Sequence, residues 1–115
     1  MDLTLREEQY SELVAFISAV SSKGRGVLTE RFILPAVVID ELFDLIDSYY
    51  EIGTILSAPP RADSDAIWVV VGPESDLDPD IWSVDCRMLA NGKEGEAVLH
   101  VEFHGETLEY RYIGS

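Results

Sequence analysis

The chain has 115 residues, 22 of them acidic against 8 basic, for a formal charge of −14, and 47% of it is hydrophobic. That length suits a single domain spanning 1–115, and the apolar content suits a folded core, because disordered chains combine high charge with too few apolar residues. So negative a surface repels phosphate backbones and anionic lipid, which argues against nucleic acid or a membrane as partner and points to something basic.

The N-terminal half has the period of a helix. Thr4 and Glu7 stand at capping-box spacing, and Tyr10, Leu13, Val14, Ile17 and Val20 recur at three- and four-residue steps. Ser21-Ser22-Lys23-Gly24 predicts a stop, with Gly24 in the left-handed cap position. Arg25 to Leu34 reads as a connector with at most a helical turn after Thr29. A second helix is expected from Pro35, with Ile39, Leu42, Phe43, Ile46, Tyr49 and Tyr50 as its apolar arc.

Its acids are as ordered as its apolar residues. Asp40, Asp44, Asp47 and Glu51 fall within about 60° of one another opposite that arc, with Glu41 at the edge. From Leu34 to Pro60 the chain has five acids and no base. Neighbouring carboxylates at this spacing repel by a few tenths of a kcal/mol per pair. The helical half is thus expected over about 4–52, and the proline-containing stretch 53–65 reads as a linker.

The sheet half, about 66–114, changes period. Ala66 to Val71 is a β-branched and aromatic run, hence a strand. Ile81 to Leu89 alternates, sending Trp82, Val84, Cys86 and Met88 to one face and Ser83, Asp85 and Arg87 to the other. A turn at Ala90-Asn91-Gly92-Lys93 precedes Glu96 to Phe103, where Ala97, Leu99, Val101 and Phe103 share a face. A turn at His104-Gly105 would pair residues whose numbers sum to 209. His100 then opposes Glu109, Val98 opposes Arg111 and Val101 opposes Leu108, with Leu108, Tyr110 and Tyr112 inward. The expected fold is α+β: two N-terminal helices packed on one face of a four-stranded antiparallel meander sheet, polar residues on the other.

Few residues suggest chemistry. Glu74, Asp76, Asp78 and Asp80 alternate like the start of a calcium loop, but Ile81 and Arg87 stand where glycine and glutamate are needed. The single cysteine, Cys86, is an inward packing residue that can form no internal disulfide, which fits a reducing compartment. His104 reads as an isolated hairpin tip, and Trp68 and Trp82 read as core. The outer sheet face gathers Asp85, Arg87, His100, Glu102, Glu109 and Arg111. His100 with Glu109 could form an acid–base pair there, although cross-strand charge pairing accounts for the same residues. No phosphate-binding glycine loop or metal-ligand spacing appears, so no cofactor, no metal and no catalytic residue is expected.

The acids remain. Asp40, Glu41, Asp44, Asp47 and Glu51 are the first candidate contacts for a basic protein partner, and Glu74, Asp76, Asp78 and Asp80 the second. One-signed fields steer an opposite partner, and a row of carboxylates imitates a phosphate backbone, as an inhibitor of a basic nuclease would. The stretch Ile81-Trp82-Ser83-Val84-Asp85, the pair Glu94-Gly95 before Glu96, and Leu99-His100-Val101-Glu102 together resemble a family of small bacterial immunity proteins. These accompany polymorphic toxins, including those of contact-dependent growth inhibition systems. The resemblance covers about 35 residues and departs from the family pattern at Glu96-Ala97-Val98. It implies a cytoplasmic, non-enzymatic protein that occludes the active site of a cognate toxin; a monomer is expected rather than a homodimer. The alternatives are a small acidic secretion chaperone, which would dimerise and bind an effector segment, and a small α+β enzyme using His100 on the outer sheet face.

Overall fold

Arg6, rather than Thr4, precedes the first helix of the computed structural model, which describes residues 4–71 and 81–114. Helix α1 runs Glu7–Ser21, and its first turn is closed by Gln9, whose Oε1 accepts the Arg6 N–H at 3.0 Å. The buried face of the helix is also rotated from expectation: Phe16 joins Leu13, Ile17 and Val20 in the core, and Val14 is 39% exposed. The helix ends with Ser22 as cap, so the left-handed residue is Lys23 (φ +58), one position before Gly24. The N–H groups of Lys23 and Gly24 close the end onto the carbonyls of Val20 and Ala19.

The expected connector contains a helix, α2 (Arg25–Glu30), which buries Leu28. At six residues it is too short to display a hydrophobic period. Helix α3 (Ala36–Tyr49) begins after Pro35 as expected and buries Ile39, Leu42 and Ile46. Tyr50 is already extended, so Glu51 lies beyond the helix rather than on its stripe.

Among the described residues five strands follow, not four. The expected linker contributes β1 (Leu56–Ser57), followed by β2 (Ile67–Val71), β3 (Ile81–Ala90), β4 (Lys93–His104) and β5 (Thr107–Gly114). All pairings are antiparallel. β1 and β2 share one edge of β3, β4 lies on its other side, and β5 forms the far edge of the open sheet. The β3–β4 turn has positive φ at both Asn91 and Gly92, the two-residue turn whose twist matches the strands.

The last hairpin differs from expectation. Its turn is Gly105-Glu106, because the glycine takes the positive φ (+63) at the first central position, and facing residues therefore sum to 211 near the turn. The ladder then shifts between His100 and Val101, where Arg111 is an extra residue in β5. His100 consequently opposes Tyr112, Val98 opposes Gly114 and Val101 opposes Tyr110. The shift turns Tyr112 outward and buries Ile113 in its place.

The inner face of the sheet carries Trp82, Val84, Cys86, Met88, Ala97, Leu99, Val101 and Phe103, packed with the helix residues into one core. Trp68 is not part of it: it pairs with Asp85 and lies half-buried on the opposite face. Gly95 sits at a second irregularity, opposite the Arg87–Leu89 segment, where a Cβ would stand 2.8 Å from the Met88 carbonyl and 2.9 Å from the Tyr50 hydroxyl. Among the described residues no helix is long and apolar enough to cross a membrane.

Candidate functional site: an acid-rimmed groove along β5

The segment Arg31-Phe32-Ile33-Leu34-Pro35 joins α2 to α3, and its residues alternate between core and solvent. Phe32 is buried and meets Phe16 edge-on at 5.1 Å, and Leu34 is also buried. Ile33 between them is 76% exposed and has φ +56. A β-branched residue in the left-handed region is a genuine outlier and costs about 1–2 kcal/mol. Val37, in the first turn of α3, is 71% exposed. Leaving such side chains in water forgoes roughly 1.5–3 kcal/mol each relative to full burial.

Beside this segment runs a groove of about 570 Å³ between Phe32, Ile33, Pro35 and Val38 on one wall and Leu108 and Tyr110 of β5 on the other. Tyr110 stacks on Phe16 at 5.7 Å, and burial, with Glu41 nearby, pushes its phenol up to about 12. Beyond Phe32 a second hollow of about 730 Å³ is lined by Glu7, Glu8, Glu12 and Glu106, with Arg31 bound to Glu12 at 2.5 Å. The two hollows share Phe32, Thr107 and Leu108 and so form one continuous surface.

The α3 acids divide around this surface. At about 100° per residue, Val37, Asp44 and Ser48 form the outermost ridge of the helix, with Asp40 and Asp47 on one flank and Glu41 on the other. The first flank faces the start of α2, where Arg25 pairs with Asp40 and Lys23 with Asp47, each at 2.8 Å, and both cations lie over the Phe43 ring. Bases absent from the local sequence are thus supplied from the neighbouring loop and helix. Glu41, Asp44 and Glu51 are exposed and make no ion pair among the described residues. The second candidate patch, Glu74, Asp76, Asp78 and Asp80, lies outside the described residues.

The open sheet face brings together a different set. His100 Nδ1 lies 2.6 Å from Asp85 Oδ1, not against Glu109, and its ring stacks on Tyr112. Arg87 pairs with Glu94. His104 is not isolated: its Nε2 lies between Glu102 and Glu109. A hollow of about 310 Å³ lies over Ser83, Asp85, His100 and Tyr112. Asp85 could orient His100 as a base, but no hydrogen bond joins His100 to Ser83 among the described residues. Cys86 points to the other face, where burial raises its thiol to about 12. A nucleophile needs an activating base within reach, and among the described residues neither Ser83 nor Cys86 has a hydrogen-bonded one.

Two features of the groove escaped the sequence. The Ile33 conformation has no local signal, since glycine or asparagine would be expected at such a position. The gathering of Glu7, Glu8, Glu12 and Glu106 depends on the last hairpin folding over α1. No family model, no curated protein and no solved structure matches this chain.

Proposed function

We propose that this chain is a non-catalytic inhibitor that binds a basic protein domain along the β5 groove and occludes that domain's active site, as an immunity protein does for its cognate toxin. The observation that carries this reading is Ile33, an apolar side chain held in water in a costly backbone conformation at the lip of the groove. Strained backbone of this kind clusters at ligand-binding and switch sites. Acids on both sides of this apolar centre, Glu7, Glu8 and Glu12 on α1 and Glu41 and Asp44 on α3, give the layout of a binding surface with a charged rim. The resemblance of the β3–β4 hairpin to immunity proteins supports the same reading, as does the −14 charge.

The test is a paired capture. Wild type and an Ile33→Asp/Val37→Asp variant are immobilised and exposed to lysate of the source cell at low salt. The reading expects one basic domain held by the wild type, lost from the variant and weakened by salt, whose activity stops when stoichiometric protein is added. An extended effector segment bound without inhibition would replace inhibition with chaperoning. A partner retained equally by both proteins would remove the groove from the proposal.

A further inference from the structure

Glu102 of β4 and Glu109 of β5 are direct cross-strand partners. Like charges directly opposite one another destabilise a sheet, and a chain at −14 offers no general relief. His104 stands between them, two residues beyond Glu102 on the same face. Its Nε2 lies 2.9 Å from Glu102 Oε1 and 3.0 Å from Glu109 Oε2. All three donor atoms fall within 4.8 Å of one another.

One imidazole nitrogen carries at most one proton and can donate it well to only one of two carboxylates. A cation bound by all three groups satisfies both. With metal–ligand bonds of ~2.0–2.2 Å, two ligands at a right angle stand about 3.0 Å apart, which is the spacing of both nitrogen–oxygen pairs. Tetrahedral ligands would stand wider, at roughly 3.4 Å for the same bond lengths.

The scaffold is held before any ion arrives. Gly105 sets the turn next to His104, and the buried amide of Gln9 donates to the Gly105 carbonyl at 3.1 Å, fixing the hairpin tip to α1. Arg111 approaches the other oxygen of Glu109 at 3.5 Å.

We propose that Glu102, His104 and Glu109 bind a six-coordinate divalent ion of the first transition row, with water in the remaining positions. One imidazole nitrogen and two carboxylate oxygens suit Mn²⁺ or Zn²⁺ better than Ca²⁺, which takes oxygen throughout, or Cu(I), which prefers sulfur. The site does not depend on the inhibitor role, although His104 and Glu109 also border the β5 groove.

The test titrates the full chain with MnCl₂, and in parallel ZnCl₂, by calorimetry, and follows Mn²⁺-induced broadening of the two histidine ring signals by NMR. The expected result is one saturable site that broadens His104 before His100. His104→Ala and Glu109→Gln should each weaken binding at least 10–100-fold, the range for losing even a supporting partner of a ligand. His100→Ala should bind as wild type does, since its ring is engaged by Asp85. No saturable binding of either ion, or binding unchanged in both His104→Ala and Glu109→Gln, would overturn the site.

Discussion

His100 and Tyr112 stack across β4 and β5 with ring centroids 4.1 Å apart and planes 20° from parallel. The contact is made just past the bulge that leaves Arg111 unpaired in β5. Without Arg111, the alternation Leu108, Tyr110 inward would continue as Tyr112 outward and Ile113 inward in an unbroken ladder. Deleting Arg111 should therefore keep both the Val101–Tyr110 and His100–Tyr112 pairings and leave the fold intact. Cross-strand NMR contacts between the two rings check it: their loss would mean that the bulge itself sets the register.

Gly95 tests a different kind of fit. In Gly95→Ala the new methyl meets the Tyr50 hydroxyl and the Met88 carbonyl at under 3 Å. Overpacking of this kind should cost about 1–3 kcal/mol in denaturant unfolding. Adding Tyr50→Phe should recover only part of the loss, because the backbone carbonyl remains and the Ala97 N–H loses its acceptor.

Ile33→Asn should separate stability from function. Asparagine tolerates the left-handed region, so the variant should unfold later than wild type by up to about 1 kcal/mol. If the groove binds a partner, affinity should fall at least tenfold in the same protein. A variant both more stable and equally active in binding would show that Ile33 has no such role.

The α3 acids should not act alike. Asp40 and Asp47 are exposed partners of Arg25 and Lys23, pairs worth roughly 0–1 kcal/mol, so Asp40→Asn and Asp47→Asn should change partner association little. Neutralising Glu41, Asp44 and Glu51 together should slow association and flatten its salt dependence. Stopped-flow on-rates at low and high salt decide between the two sets.

Alkaline pH should destabilise the fold. Burial raises Cys86 from 9.0, and Tyr110 from 10.0, to about 12, and raises Tyr50 as well. Above about pH 9 the unfolded chain releases these protons while the folded one keeps them, so stability falls as pH rises towards 12. Thermal unfolding should show these groups adding no pH dependence near neutrality and a loss across that window, smaller in Cys86→Ala than in wild type.

Sheet periodicity was the most legible feature of the chain. The two-residue alternation of Trp82, Val84, Cys86 and Met88 assigns their face without ambiguity, and Asn91-Gly92 specifies its turn chemically. Short elements were illegible for lack of repeats: α2 has six residues and β1 only two. The register of β5 depends on which residue takes the positive φ of the final turn, and a turn at His104-Gly105 conceals the Glu102–Glu109 pairing and the place of His104 between them. The acids of α3 were legible as exposed, but their pairing with Lys23 and Arg25 was not, since those bases come from a different stretch of chain.

Gln9 ties the start of the first helix to the last turn of the sheet, 96 residues away. Fully enclosed in the finished fold, that amide exchanges water for the Gly105 carbonyl only when the final hairpin is in place. The opening turn of α1 and the tip of β4–β5 therefore belong to one cooperative unit, formed by a contact of near-maximal sequence separation. Such contacts slow folding, so the helical half emerging from the ribosome must wait, incompletely secured, for the end of the sheet to be made.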